Sequence, residues 1–356
     1  GYRVHVLDPA ADCAAHPVVE RVVVAALNDA RAAARLAREC DVVTMEIEQI
    51  GGEALQAAAS HAPLRPAASV LHIVQDRGRQ KEWLTRHGAP IGPYRLVESA
   101  SDLADAERAL GAPLIAKACE GGYDGRSQLH FVAGDDPAAA FASLGSRRAV
   151  AEQALSLELE LSVLVARRPS GETTVYPPAV NHHERQVLAW STLPGELPDG
   201  VATMAGALAL DIAHAIGLEG ILAVEMFLLT DGRLLVNELA PRPHNSYHGA
   251  DIACATGQFE QLVRAVCDLP LGSIEPLRPS AIVNLFGDLW LHGRPPDFSA
   301  ALAVPGTRLA LYGKSGARAG RKMGHLAATG ANTAEALARA RAALARLSVS
   351  TSNEGS

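Results

Sequence analysis

Two glutamates that flank a sharp turn are the residues of this chain best suited to chemistry. They lie in the segment VEMFLLTDGRLLVNELAPRPHNS (224–246), where Asp231-Gly232 is a strong signal for a hairpin with a two-residue turn. That turn sets Glu225 directly opposite Glu238, although like charges at paired positions destabilise a sheet. Close carboxylates need a cation between them, and Mg²⁺ is typically held by one or two carboxylates plus substrate phosphates. The pattern predicts a magnesium site on Glu225 and Glu238, with a hairpin of different register as the alternative.

A glycine-rich loop between two strand-like segments, AKACEGGYDGRSQ (116–128), is a second candidate site. Its glycines allow backbone N–H groups to approach an anion closely, and Lys117 on the preceding strand is placed to reach phosphate oxygens. Strand alternation puts Lys117 on the same face as Ile115 and Cys119, an apolar setting in which a charge needs a partner. The loop is not a P-loop, because no G-K-[ST] ends it. It predicts a nucleotide-phosphate site, and the alternative is a plain glycine hairpin.

Lysine is scarce, and two of the four lysines fall in one basic loop. Of 32 basic residues only Lys81, Lys117, Lys314 and Lys322 are lysines, and the loop LYGKSGARAGRKMGHL (311–326) holds the last two with Arg318 and Arg321. Clustered cations on glycine-rich backbone are suited to binding a phosphate monoester. The alternative is a solvated basic surface. We expect Lys81, which lies in a helical segment, to be solvated.

A pair of acidic residues ends a strand-like segment near the N-terminus. In DVVTMEIEQI (41–50), Glu46 and Glu48 are two residues apart and share one face if the segment is a strand. Carboxyl ends of parallel strands are where α/β folds bind ligands. The pattern therefore indicates a ligand-binding edge, and the alternative is a strand-end charge pair.

The composition is that of a globular enzyme-sized chain and argues against several classes of partner. The chain has 356 residues, 48% of them hydrophobic, a net charge of −7 and no basic stripe, which argues against binding nucleic acid. No apolar run reaches the ~18 residues of a transmembrane helix, and no signal peptide is visible. The five cysteines are scattered without C-x-x-C spacing, as in a reducing compartment. We expect a cytoplasmic protein without a membrane partner.

The elements that must position these residues alternate in type along the chain. Strand, helix and strand at 2–8, 28–39 and 41–48 predict a parallel α/β sheet. Short strands separated by glycine loops then follow. The remaining predicted elements are helices at 76–87, 102–110, 203–216 and 256–268, strands at 113–118, 128–133, 149–155, 159–167 and 281–287, a hairpin at 221–238, and an alanine-rich helix after 325.

Taken in order, these segments resemble the ATP-grasp superfamily and, within it, the 5-(carboxyamino)imidazole ribonucleotide synthetases of purine biosynthesis. The strings that carry the resemblance are VTMEIEQI, QDRGRQKEWL, GGYDGR, YPPAVNHH, NELAPRPHNSYH, TGQFEQLVRA and YGKSGARAGRKMGHL. The resemblance implies an α/β and α+β ATP-grasp architecture. Its parts would be a Rossmann-like preATP-grasp domain (1–75), an ATP-grasp domain (76–270) with a small lid at about 110–165, a C-terminal β-rich region (271–347) and a disordered tail (348–356).

The resemblance also implies a reaction and a set of ligands. ATP phosphorylates bicarbonate to carboxyphosphate, which delivers CO₂ to the amine of 5-aminoimidazole ribonucleotide, giving the carbamate, ADP and phosphate. Mg²⁺ and a homodimer are implied as well. The implied ATP-binding residues are Arg77, Lys117, Gly121, Gly122, Tyr123, Asp124, Gly125, Arg126, Gln128, Glu152, Gln153, Leu155, Glu160, His183, Asn237 and Glu238. The implied substrate-binding residues are Glu46, Tyr123, Arg126, His244, Asn245, Lys314 and Arg321.

Three residues are implied by the resemblance to act in the chemistry. Asp124 would accept a proton, Arg242 would hold bicarbonate, and Lys314, with Arg321, would bind the ribose phosphate. Glu152, Gln153 and Leu155 would form the adenine hinge.

The chain departs from the family pattern in several places. The family opens with a strand and a turn, G-x-G-Q-L-G, and this chain begins after them, so either the sequence is truncated or that part was lost. Ser127 and Tyr247 replace glycines of the family pattern, and SLELE (156–160) lacks a phenylalanine that the family often carries. Two alternatives remain from other readings of the residues: a formate-using glycinamide ribonucleotide transformylase and a nucleotide-binding module without activity.

Overall fold

The N-terminal segment forms a short parallel ladder packed against small helices. The structure, a computed structural model, describes residues 1–121, 128–291, 296–314 and 316–349. Strands β1 and β2 pair in parallel, with His5 opposite Arg21. The elements of this segment are β1 (His5–Asp8), β2 (Arg21–Val24), α1 (Ala30–Ala37), α2 (Gly52–Ala59) and α3 (Ala68–Val74). Helices α1 and α2 approach each other through buried alanines, among them Ala37 and Ala54.

The predicted strand at 41–48 is wrong. Within it only Val43 forms a β-bridge, to Leu64, exchanging hydrogen bonds with the Pro63 carbonyl and the Arg65 N–H. Pro66 follows at once and has no N–H with which to continue the ladder. Glu46 and Glu48 therefore do not share the face of a strand.

A four-stranded antiparallel sheet forms the second part. Its order is β3-β6-β4-β5, and its core contains Leu103, Leu114 and Phe131. The elements are α4 (Arg77–Arg86), β3 (Tyr94–Val97), α5 (Ala100–Leu110), β4 (Leu114–Ala118), β5 (Gln128–Phe131), α6 (Pro137–Ser143) and β6 (Ala149–Gln153). Helix α4 begins where sequence analysis expects it, because the Asp76 side chain accepts a hydrogen bond from the Arg79 N–H as an N-cap.

A nine-stranded sheet dominates the rest of the molecule. Its order is β12-β11-β7-β9-β10-β13-β15-β14, with β8 paired to β7. The elements up to the end of its helical cover are β7 (Leu157–Arg167), β8 (Thr173–Val175), β9 (Ala179–Glu184), β10 (Val187–Leu193), α7 (Val201–Ala215), β11 (Gly220–Leu229), β12 (Leu234–Ala240), α8 (Ala250–Ala253) and α9 (Gln258–Val266). Helix α7 covers one face with Val201, Ala205, Ala209 and Ile212.

The C-terminal residues extend this sheet and do not form one of their own. Strand β13 pairs with β10, and Trp190 lies opposite Val283. The elements are β13 (Ser280–Phe286), α10 (Phe298–Leu302), β14 (Thr307–Leu311), β15 (Lys322–Thr329) and α11 (Thr333–Val349). Helix α11 continues two residues into the predicted tail, whose other residues lie outside the described part of the chain. In the described ranges, no helix has the length and apolar character needed to cross a membrane.

The hairpin of β11 and β12 pairs the two glutamates by a route that sequence analysis did not predict. The turn holds three residues (230–232), because the Leu229 N–H donates to the Arg233 carbonyl at 2.9 Å. Gly232 takes the left-handed conformation, φ +84°, that closes such a turn. This shifts the register by one residue until a bulge at Asn237 restores it, so that Glu225 does lie opposite Glu238.

Candidate active site

A single cleft brings most of the predicted site residues together. Its volume is about 1720 Å³, and it runs between the four-stranded sheet, the hairpin and the N-terminal segment. The predicted residues that line it are Glu46, Arg77, Lys117, Gly121, Gln128, Glu160, His183, Glu225, Asn237, Glu238, Arg242, His244, Asn245 and Lys314. Glu152, Gln153, Leu155 and Arg321 are not among the residues that line it. The predicted residues Gly122, Tyr123, Asp124, Gly125 and Arg126 lie outside the described residues.

The paired glutamates each contact a nitrogen-bearing side chain inside the cleft. Glu225 Oε1 lies 2.8 Å from His244 Nε2, and Glu238 Oε2 accepts from Arg77 Nη1 at 2.7 Å. Burial favours the protonated carboxyl of Glu225, but the hydrogen bond and charge of His244 outweigh it and lower its pKa to about 2. The Glu225 carboxylate is therefore ionised at neutral pH, the state in which an oxygen ligand binds a cation.

Lys117 does not stand alone on its strand, because it shares a buried carboxylate with Lys81. Lys117 Nζ is 2.5 Å from Glu152 Oε2, and Lys81 Nζ contacts Oε1 of the same carboxylate. The two ammonium groups overcome the effect of burial and lower the pKa of Glu152 to about 2. The expectation that Lys81 is solvated is wrong, since only 6% of it is exposed.

Glu160 and His183 face each other across neighbouring strands β7 and β9. His183 Nδ1 lies 2.7 Å from Glu160 Oε2. Burial opposes the imidazolium form, but the nearby carboxylate of Glu160 outweighs it and raises the pKa of His183. Both residues line the cleft, as does Gln186.

Arg242 is held by Glu48, one of the two glutamates in the segment 41–50. Its Nε donates to Glu48 Oε1 at 2.9 Å. Burial raises the pKa of Glu48, while Arg242 opposes that shift. Glu46 lies in the same cleft, where desolvation raises its pKa and the charges of Arg242 and Lys314 partly offset the rise.

A serine network orients His244 on the side away from Glu225. His244 Nδ1 lies 2.8 Å from the buried hydroxyl of Ser246, which is 2.7 Å from the hydroxyl of Ser162. The neighbouring Asn245 lines the cleft, and its buried amide oxygen and nitrogen have no hydrogen-bond partner among the described residues. Buried amides without partners are uncommon, so Asn245 is available to a ligand.

Two features of the site were missed or misplaced by sequence analysis. Tyr247, which replaces a glycine of the family pattern, is buried in the core, and its hydroxyl lies 2.8 Å from the Ser162 carbonyl and 2.9 Å from the Pro177 carbonyl. The rings of His248 and His325 stack with centroids 4.5 Å apart beside Tyr312. Burial lowers the pKa of His325 to about 4, so this ring is neutral. Widely separated histidines carry no sequence signal that would pair them.

Glu225 and Glu238 remain the predicted ligands of Mg²⁺. Among the described residues, no group of three or more His, Cys, Asp or Glu side chains is arranged to hold a metal ion. Two carboxylates that face one cleft at paired positions are a donor set that suits Mg²⁺ only if a substrate supplies further oxygens.

Comparisons with known protein families agree with this architecture. A family model described as an ATP-grasp domain matches residues 82–259. A ribonucleotide synthetase preATP-grasp domain matches residues 1–75, and a phosphoribosylaminoimidazole carboxylase C-terminal domain matches residues 280–339. The fold and the cleft are those of an ATP-grasp enzyme.

Individual relatives show to which family of ATP-grasp enzymes the chain belongs. The chain is 39% identical to the N5-carboxyaminoimidazole ribonucleotide synthase of Bacillus subtilis, over 92% of this chain and 85% of that protein. The Brucella melitensis protein of the same name is also 39% identical, over 92% of this chain and 89% of that protein. The chain belongs to the N5-carboxyaminoimidazole ribonucleotide synthase family.

Solved structures of that family superimpose closely. The crystal structure of an N5-carboxyaminoimidazole ribonucleotide synthetase in complex with ADP matches with a TM-score of 0.91 and 37% identity, covering 97% of this chain and 90% of the other. The Aspergillus clavatus synthase in complex with ADP and 5-aminoimidazole ribonucleotide matches with a TM-score of 0.87 and 29% identity, covering 98% and 92%.

Proposed function

We propose that this cleft carries out the reaction of its family. The chain is an ATP-dependent carbon–nitrogen ligase that carboxylates 5-aminoimidazole ribonucleotide in purine biosynthesis, using ATP and bicarbonate. The observation that carries the proposal is the meeting, in one cleft, of the paired carboxylates Glu225 and Glu238 with the cations Lys117, Arg242 and Lys314. The two carboxylates can hold a metal ion that, together with Lys117, binds the phosphates of ATP. Arg242 and Lys314 carry the positive charge needed to bind bicarbonate and a sugar phosphate.

In the proposed reaction, a bicarbonate oxygen attacks the γ-phosphorus of ATP and ADP leaves, giving carboxyphosphate. The carboxyphosphate breaks into CO₂ and inorganic phosphate. The exocyclic amine of the ribonucleotide then attacks CO₂ and loses a proton, which leaves the carbamate. We expect Asp124 to accept that proton, as the family resemblance implies.

The nucleotide is proposed to lie between the two sheets. Arg77, Lys117 and the loop from Gly121 to Gln128 would contact its phosphates, and Glu160 with His183 would lie at the ribose. The adenine hinge is proposed at Glu152, Gln153 and Leu155. The Glu152 side chain contacts two lysines, and none of the three residues lines the cleft, so the hinge is proposed from the family resemblance alone.

Mg²⁺ would be held by Glu225 and Glu238, assisted by Asn237, and would neutralise charge on the nucleotide phosphates. The ionised state of Glu225 supports this role. The chain's own groups prepare the site: His244 and Arg77 balance the two carboxylates and keep them oriented into the cleft. These two side chains would have to release the carboxylates, at least in part, when the metal binds.

The second substrate is proposed to lie on the side of the cleft formed by the basic loop. Arg242 would hold bicarbonate, oriented by its hydrogen bond to Glu48. His244, Asn245 and Glu46 would contact the ribonucleotide. Lys314 and Arg321 would bind its phosphate; because Arg321 does not line the cleft and donates to the Gly316 carbonyl at 2.7 Å, this role requires the loop to rearrange.

We also propose a cytoplasmic homodimer. The scattered cysteines support the compartment, since the five cysteines are all free thiols. The dimer is proposed from the family resemblance. Sedimentation of the purified chain would test it.

The activity is tested by measuring ADP release with two substrate pairs. We expect turnover with 5-aminoimidazole ribonucleotide plus bicarbonate, and none when bicarbonate is removed by degassing. Turnover only with glycinamide ribonucleotide plus formate would assign the chain to the transformylase reaction instead. If ATP binds and neither pair is turned over, the chain is a nucleotide-binding module.

A further inference from the structure

Lys81 is a buried cation at the junction of the two sheets. It lies on α4, with 6% of its surface exposed, and it does not line the cleft. Its Nζ contacts Glu152 Oε1 on β6 and the Asn237 carbonyl at 3.3 Å on β12. A buried lysine needs such partners, because an isolated charge is strongly disfavoured in the interior. Its position behind the wall of the cleft means that it acts through other residues.

One face of α4 caps the edge of the large sheet at the bulge. Arg77, Gln80 and Lys81 follow the i, i+3, i+4 spacing that aligns side chains on a helix. Gln80 Oε1 accepts from the Leu239 N–H at 3.2 Å, and Arg77 holds Glu238. Strand β12 is at the end of the described sheet order, so its outward backbone groups need partners from outside the sheet.

Lys81 can remain the counter-ion of Glu152 when Lys117 binds a nucleotide phosphate. Glu152 is 12% exposed, and its two carboxylate oxygens contact different lysines. If Lys117 were its single counter-ion, moving Lys117 to a phosphate would strand a buried carboxylate, which is strongly unfavourable. With Lys81 on the other oxygen, Glu152 keeps a counter-ion throughout.

We propose that Lys81 is a positioning residue for the nucleotide: it neutralises Glu152 from behind the cleft, which frees Lys117 to bind phosphate oxygens. Through the Asn237 carbonyl it also holds the bulge that directs Glu238 towards the same phosphates. The inference rests on the nucleotide site of the proposed function.

The test compares Mg·ADP binding, by isothermal titration calorimetry, in Lys81→Met and in Lys81→Met/Glu152→Gln. We expect Lys81→Met to weaken binding about tenfold, because Glu152 then captures Lys117. Removing the carboxylate as well releases Lys117, so the double variant should bind more tightly than Lys81→Met alone. A purely structural role for Lys81 predicts no such recovery. The KM for the aminoimidazole ribonucleotide should change less than about threefold in both variants.

Two controls distinguish an error in the proposed nucleotide site from an error in the role proposed for Lys81. Arg86→Met removes an exposed cation from the same helix and should leave Mg·ADP binding unchanged. Lys117→Met tests the nucleotide site itself: if it leaves binding unchanged, the proposed site is wrong. If Lys117→Met weakens binding and Lys81→Met does not, the role of Lys81 alone is refuted.

Folding of the variants is checked by circular dichroism. Should Lys81→Met fail to fold, Lys81→Gln replaces it in the same comparison, because its amide can donate a hydrogen bond but carries no charge. Weak binding in Lys81→Gln that is recovered by Glu152→Gln supports the proposal. Wild-type binding in Lys81→Gln overturns it, and so does a double variant that binds no better than the single one.

Discussion

Glu152→Gln should destabilise the protein by several kcal/mol, because it leaves two buried lysines without their shared counter-ion. The size of the effect follows from the ionisation of Glu152. Burial alone would raise its pKa, yet Lys117 and Lys81 lower the pKa from 4.5 to about 2. At about 1.4 kcal/mol for each pH unit, this corresponds to about 3 kcal/mol of favourable interaction with the ionised form. Breaking a buried ion pair typically costs a similar amount, about 3–5 kcal/mol.

The assay is urea-induced unfolding at pH 7, followed by tryptophan fluorescence, to which the buried Trp83 of α4 contributes. Glu158→Gln, at an exposed position on β7, the next strand along the chain, is the matched control and should change the free energy of unfolding by less than about 0.5 kcal/mol. A loss of less than about 1 kcal/mol in Glu152→Gln would refute the reasoning.

The pH dependence gives the same reasoning a second check. A depressed pKa in the folded state means that the stabilisation is complete above pH 4.5 and is lost as the pH falls through about 2. The difference in stability between the wild type and Glu152→Gln should therefore shrink over that window. A difference that stays constant or grows on acidification would contradict the assignment.

Three further predictions concern the site. Glu238→Gln should abolish Mg²⁺-dependent ADP release without changing the circular dichroism spectrum, whereas Asp231→Asn, in the exposed turn of the same hairpin, should retain activity; near-normal turnover of Glu238→Gln would show that the hairpin holds no metal. Lys314→Ala should raise the KM for the aminoimidazole ribonucleotide much more than that for ATP, and an effect mainly on ATP would reverse the assignment. In an NMR titration His183 should show a pKa above 6.5 that falls in Glu160→Gln, since burial then opposes the imidazolium form without the Glu160 carboxylate to offset it. Because the pKa of His183 is raised on folding, the stability that this pair contributes is present below pH 6.5 and is lost as the pH rises through the raised value.

Local patterns were enough to predict much of the helical structure and the pairing of the glutamates. The aspartate cap at Asp76 and the glycine after His87 mark both ends of α4 to within a residue. The pairing of Glu225 with Glu238 was predicted correctly from an incorrect turn, because the bulge at Asn237 cancels the extra turn residue. A bulge at an edge strand depends on what packs against that edge, which the sequence of the hairpin does not contain.

Long-range contacts explain the predictions that were wrong. The segment 41–48 has the composition of a strand. The segment that pairs with it at Leu64 is bounded by Pro63 and Pro66, which leaves it too short to form a ladder. The residues on either side of Lys81 in the sequence are those of a solvent-exposed helix. Its carboxylate partner lies 71 positions away, on a strand that only the folded chain brings within contact.

The sequence by itself determined the family and the residue types of the site, because its motifs are short, local and in a characteristic order. Only the tertiary structure decided which side chains contact the acidic groups: Lys81 and Lys117 on Glu152, His244 on Glu225, and Arg77 on Glu238. The physical reason is that electrostatic energy depends on distance and burial, and both are properties of the folded chain.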